Sequence, residues 1–191
     1  MGYGYGIKCA KCDYGISVIE GIGFSYSPNA VFYGRCDDPT QNWSIALPDG
    51  YCEESKPLLL KLVESEGIKE KAFGLLSKGA APDGYGHALY ICPKCNQLKN
   101  LFYFKLVSAT EQYEPDYHCS KCKTQIQEVS SRKREDGQCE LYKDCCKEWN
   151  SNIFGELVLM PAYKDCCRVD WHCPECGCEK LIFDWDGLSW D

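Results

Sequence analysis

The sequence predicts a small, metal-stabilised, β-rich α+β fold, made of two zinc-ribbon modules with a short helical insertion. Three observations predict it. Sixteen of the 191 residues are cysteine, a density that points to cross-links or bound metal rather than to an ordinary core. Eight of those cysteines form four Cys-x-x-Cys pairs: Cys9/Cys12, Cys92/Cys95, Cys119/Cys122 and Cys173/Cys176. Around the pairs, short runs alternate apolar and polar residues as half-buried strands do, and a single stretch changes to helical spacing.

The pair spacing carries the chemistry. Two thiolates three residues apart on a tight turn can both face one tetrahedral ion, and four such pairs supply two four-sulfur sites with none left over. A disulfide framework has no reason to repeat that spacing four times. Met1 to Cys9 has neither a basic leader nor an apolar stretch of the signal-peptide kind. A reduced, cytoplasmic chain is therefore expected. No run approaches 18 apolar residues, so no membrane-spanning helix is expected. The other eight cysteines are Cys36, Cys52, Cys139, Cys145, Cys146, Cys166, Cys167 and Cys178. They read as buried free thiols, which pack as small hydrophobes, with a third metal site or a redox pair as the alternative.

Along the chain, Gly2 to Gly6 leads through Ile7 into the first pair, and Ile16-Ser17-Val18-Ile19 follows as a strand. Residues 36–54 are loop-like, with turn signals at Asp38-Pro39 and Asp49-Gly50. From about 55 to 78, Leu58, Leu59, Leu62 and Val63 form one apolar stripe, and Ile68, Ala72, Phe73, Leu75 and Leu76 form another. Ser55 suits an N-cap and Pro57 a first turn, and Gly67 divides the stretch into two short helices. Strands are expected on both sides of Cys92/Cys95 and again around Cys119/Cys122. Residues 130–137 are expected to make a charged turn or linker. Leu157 to Met160 is a short strand, and Leu181-Ile182-Phe183 follows the last pair.

Four pairs can share two ions in three ways. Tyr117-His118-Cys119 is echoed by Trp171-His172-Cys173, which favours Cys119/Cys122 with Cys173/Cys176 and leaves Cys9/Cys12 to Cys92/Cys95. Two domains then follow: residues 1–110, a ribbon with the helical insertion, and 111–191, a ribbon with a cysteine-rich insertion. The rival joins Cys92/Cys95 to Cys119/Cys122, an ordinary gap for a ribbon, and leaves the outer pairs to each other. His118 and His172 read as neighbours of the sites rather than ligands, because each site already has four sulfurs.

Zinc is the expected ion. Four-thiolate tetrahedra also accept iron, so spacing alone leaves iron as the lesser alternative. A closed four-sulfur zinc site has no open position and cannot activate water. The chain also lacks His-Glu-x-x-His, a phosphate loop and Gly-x-Ser-x-Gly. Binding, not catalysis, is the expected activity, with a protein partner suited to the aromatic tail of Phe183, Trp185 and Trp190. The formal charge of −7 opposes non-specific coating of nucleic acid. Residues 92–134 nevertheless carry eight basic against four acidic side chains, +4, while the remainder carries −11. Lys94, Lys99, Lys121, Lys123, Arg132, Lys133 and Arg134, interleaved with Phe102, Tyr103 and Phe104, are the candidate nucleic-acid contacts.

Ile7-Lys8-Cys9-Ala10-Lys11-Cys12-Asp13-Tyr14, Gly21-Ile22-Gly23-Phe24 and Leu89-Tyr90-Ile91-Cys92-Pro93-Lys94-Cys95, followed by two C-terminal pairs, resemble a group of uncharacterised bacterial zinc-ribbon proteins. That resemblance implies a fold and a metal but no activity, and residues 139–168 depart from its pattern. Locally, Asp170-Trp171-His172-Cys173-Pro174-Glu175-Cys176-Gly177 is similar to the second iron-binding knuckle of rubredoxins. Cys9-Ala10-Lys11-Cys12-Asp13-Tyr14 is a weaker relative of the first.

Overall fold

The computed structural model describes residues 2–22, 26–34, 56–143, 146–151, 157–162 and 166–190. The strands are β1 (Gly2–Cys9), β2 (Gly15–Gly21), β3 (Ala81–Ile91), β4 (Leu98–Val107), β5 (Gln112–Tyr113) and β6 (Gln127–Lys133). They continue as β7 (Gln138–Lys143), β8 (Cys146–Ser151), β9 (Leu157–Ala162), β10 (Cys167–Val169) and β11 (Leu181–Trp190). The helical pieces are a π-type turn at Asn29–Tyr33, α1 (Leu59–Leu62) and α2 (Glu66–Leu76).

Six strands close on themselves in the order β7, β11, β1, β2, β3, β6 and back to β7, every pairing antiparallel. β4 and β5 extend the sheet beyond β3, β10 adds to β7, and β8 with β9 forms a separate hairpin. This corrects the expected fold. The protein is a mostly-β closed barrel, not an α+β pair of zinc ribbons. The first and last strands are neighbours along their whole length, from Gly2 opposite Trp190 to Cys9 opposite Leu181. Strands from either side of residue 110 also pair where Leu89 meets Val129. A Cys-x-x-Cys turn has the same local signature in a free-standing hairpin as at the rim of a barrel, so periodicity alone suggested modules.

β1 shows how the barrel bends. Gly2, Gly4 and Gly6 alternate with Tyr3, Tyr5 and Ile7, and the register with β11 slips between Gly4 and Tyr5 and again between Gly6 and Ile7. Bulges and strand glycines are the usual means of curving a sheet into closure. Tyr5 and Ile7 then join Val18, Leu89, Ile91, Val129, Leu141 and Leu181 in the interior. The Tyr5 hydroxyl donates to Glu20 Oε1 at 2.6 Å and accepts from Ser131 Oγ at 2.6 Å, so this buried polar group is satisfied. On the edge of β2, Asn100 Nδ2 donates to Ile19 O at 2.7 Å and its Oδ1 accepts from Ile19 N at 3.1 Å. One side-chain amide thus replaces a missing ladder strand.

A second core lies against β4. Val31, Phe32, Leu59, Val63, Ala72 and Leu75 pack on Phe102, Phe104 and Leu106. Burying each large side chain there contributes about 1.5–3 kcal/mol. The helical stretch is present, but its break falls at 63–65 and Gly67 sits in the first turn of α2. Ser55 lies outside the described residues.

Candidate metal centres

The structure brings the eight paired cysteines into two groups of four. Cys9, Cys12, Cys173 and Cys176 form the first tetrad, and Cys92, Cys95, Cys119 and Cys122 form the second, with the four sulfurs of each within 4.8 Å of one another. The favoured pairing from sequence is therefore wrong and its rival is the one observed. Sulfurs about 2.3 Å from a tetrahedral zinc ion lie roughly 3.8 Å apart. In the first tetrad Cys9 and Cys176 are 3.6 Å apart and Cys12 and Cys173 are 3.5 Å apart. In the second, Cys92 to Cys122 is 3.2 Å, Cys95 to Cys119 is 3.7 Å and Cys122 to Cys95 is 4.0 Å. Either group could hold a metal ion.

All four turns are built alike. The backbone N–H of the first cysteine donates to the carbonyl five residues on: Cys9 to Tyr14, Cys92 to Gln97, Cys119 to Thr124 and Cys173 to Cys178, at 2.7–3.0 Å. In three of them the residue after the second cysteine adopts a left-handed backbone: Asn96 (φ 57°), Lys123 (φ 58°) and Gly177 (φ 71°). Asn and Gly suit that region; lysine does so at a cost.

The misleading echo has a local meaning. Tyr117 donates its hydroxyl to Phe102 O at 2.5 Å, and Trp171 donates Nε1–H to Asn96 O at 3.0 Å. In both cases an aromatic two residues before a cysteine pins its turn to a backbone carbonyl. The Trp171 bond also crosses from the first tetrad to the second. Tyr14, next to the first turn, makes a parallel link, accepting from Leu98 N at 2.8 Å and lying 6.1 Å from the Trp171 ring. Nothing in the spacing signals these two bridging residues.

The thiol ionisations follow from the crowding of four sulfurs. Burial raises the Cys9 thiol, but backbone N–H groups of Lys11 and Cys12 and the thiols of Cys176 and Cys12 outweigh it and bring it to about 6. Cys122 also falls to about 6, chiefly through a backbone hydrogen bond from Thr124 and then the Cys92 thiol. Burial, followed by the other three thiols, pushes Cys95 up to about 12. Four crowded sulfurs cannot all ionise by themselves, because like charges disfavour one another. A dication removes that conflict, since metal ligation deprotonates each thiol.

The surroundings differ in charge. At the first tetrad Cys176 is exposed, Lys11 and Glu175 occupy the third position of their turns, and Glu175 Oε2 lies 3.9 Å from Cys12 Sγ. At the second, Lys94 and Lys121 occupy the third position of their turns, Lys123 follows directly, and Lys99 Nζ is 3.4 Å from Ser120 Oγ. None of these four lysines makes an ion pair with a described residue. The remaining candidate nucleic-acid contacts lie elsewhere. β6 passes Ile91 at Gln127 and reaches Cys139 at Lys133, so Arg132, Lys133 and Arg134 lie about 20 Å along the strand at roughly 3.3 Å per residue. Arg134 pairs with Glu140 and Asp136, and Lys133 sits over the Phe183 ring. Phe102 and Phe104 are buried beneath the helices and are not offered for stacking.

Neither His118 nor His172 belongs to a tetrad; His172 Nε2 is 3.4 Å from Glu179 Oε1. Cys139 and Cys178 are buried free thiols, as the sequence suggested. Cys166 is half-buried and Cys167 exposed, contrary to that reading. No third cluster occurs among the described residues. Cys36, Cys52 and Cys145, and the side chains of Cys146, Trp185 and Trp190, lie outside the described set. No described helix is long and apolar enough to cross a membrane.

Scans against protein-family models, curated proteins and solved structures give no match. The zinc-ribbon resemblance thus rests on the quoted motifs alone.

Proposed function

We propose that this chain is a zinc-stapled β-barrel that acts by binding, with both tetrads structural and no catalytic metal. The observation that carries this reading is the set of four sulfurs at each centre. It fills every position of a tetrahedral ion and leaves none for water or substrate. The partner under this reading is another protein, and the reduced thiols suit the cytoplasm. Native mass spectrometry of reduced protein, with a visible spectrum, tests the metal. Two zinc ions on a colourless chain are the expected result. Iron with visible absorption, or an ion-free chain whose cysteines pair, would sink the reading.

A second reading, nucleic-acid binding, is favoured by one feature: Lys94, Lys99, Lys121 and Lys123 cluster at the second tetrad without acidic partners among the described residues. It needs only that part of the basic segment, because Arg134 is engaged and Phe102 and Phe104 are buried. Anisotropy with a labelled oligonucleotide would then show affinity falling steeply with salt, and the K94E/K121E variant would lose it.

A further inference from the structure

Three features set the two tetrads apart, and all three act in the same direction. A four-thiolate zinc centre carries a net charge of −2. Around the second tetrad, Lys94, Lys99, Lys121 and Lys123 offset that charge. The first tetrad has one lysine in the same turn position, Lys11, but it also holds a carboxylate against one of its sulfurs, Glu175 Oε2 at 3.9 Å from Cys12 Sγ. A like charge at that distance weakens an ionised sulfur roughly fivefold even with the screening of bulk water. Access also differs: Cys176 is exposed, whereas every sulfur-bearing residue of the second tetrad is buried or half-buried.

Position matters as well. The first tetrad joins the turn after β1 to the turn before β11, across 161 to 167 residues of chain. Beside it the β1–β11 ladder, which ends with Cys9 opposite Leu181, and the bond from Ala10 N to Lys180 O at 3.0 Å already align the same joint.

We infer that the tetrads hold zinc unequally, so that the Cys9/Cys12/Cys173/Cys176 site is a releasable clasp on the barrel seam and the Cys92/Cys95/Cys119/Cys122 site a permanent staple. The inference rests on both tetrads holding zinc. Loss of the first ion frees the turns at 9–14 and 173–180 while the second tetrad still anchors 92–97 and 119–124. A chelator or a competing metal-binding protein is the kind of partner that would work the clasp.

The test starts from protein shown by native mass spectrometry to carry two zinc ions; failure at that point contradicts the structural reading, not the inequality. A metal chelator is then added, and zinc release is timed while newly freed thiols are alkylated and mapped. The clasp predicts two phases at least tenfold apart, with Cys9, Cys12, Cys173 and Cys176 labelled in the first. The surface variant E175Q should slow the first phase severalfold, and K94E/K121E should hasten the second. Release of both ions in one phase, labelling of the second tetrad first, or an unchanged first phase in E175Q would overturn the inference.

Discussion

The two tetrads have the same ligands and nearly the same turns, yet they do different mechanical work. The second ties together segments 24 to 30 residues apart, and the first ties segments 161 to 167 apart. Closing the longer loop costs about 1.5 kcal/mol more chain entropy on a logarithmic length dependence. The difference is small. Backbone pairing between β1 and β11 already brings the ends together, and the first tetrad locks a joint that the sheet has aligned. The second tetrad holds the loop around 114–126 over the outer face of β3 and β4, where Ala88, Tyr90, Ile126 and Tyr117 make a satellite core. One metal site therefore closes the barrel and the other fastens a cover to it.

Removing a ligand from each should expose that contrast. Cys173→Ser is expected to cost at least about 5 kcal/mol, a fraction of the binding energy typical of structural zinc, and to lower the global melting temperature. Cys119→Ser should also lose one zinc ion, but hydrogen exchange should rise mainly over 114–126 and leave β1 and β11 protected. Equal and global unfolding of both variants would erase the distinction.

Phe104→Ala probes the helix-covered core, which neither tetrad touches. A loss of about 3–5 kcal/mol is expected from the cavity and transfer terms, with zinc content still at two. A variant that lost metal as well would show that this core and the tetrads are coupled.

Trp171→Phe keeps an aromatic ring but removes the indole N–H bonded to Asn96 O and part of a buried side chain. A loss of about 1–3 kcal/mol is expected. Because Trp171 precedes the first tetrad while Asn96 belongs to a turn of the second, the rate of chelation at both sites should rise. A change confined to one tetrad would sever the proposed bridge.

A further contrast lies in the barrel interior at high pH. Burial, with Glu20 and Glu140 nearby, pushes the Cys139 thiol up to about 12. An unfolded cysteine ionises near about 8.5. The native state therefore retains a proton that the unfolded state releases, so this stability is complete below about 8.5 and is lost as pH rises towards 12. Burial first, and Glu20 next, raise the Tyr5 hydroxyl in the same sense. Alkylation at pH 8 should modify exposed Cys167 and spare Cys139; rapid native-state labelling of Cys139 would contradict its burial.

How far the sequence could be read follows from the range of each signal. The four turns, the helical stretch and most strands depend on neighbours within a few residues, and all are legible. Closure of the barrel depends on pairings such as Gly2 with Trp190, for which no local pattern exists. The tetrad partners are not legible, because the aromatic-His-Cys echo does not mark two turns of one site. Tyr117 and Trp171 instead perform the same local task in different sites. The roles of Asn100 and Tyr14 are not legible either, because a lone side chain bonding to a distant backbone leaves no periodic trace.

The central claim is the pairing itself, and zinc counts on two double variants test it most directly. C12S/C176S removes two ligands from one tetrad, and C12S/C95S removes one from each. Native mass spectrometry of reduced, zinc-supplied protein should find one zinc ion on C12S/C176S and none on C12S/C95S. The reverse, with one ion on C12S/C95S and none on C12S/C176S, would mean that Cys9/Cys12 shares its metal with Cys92/Cys95 and would contradict the account.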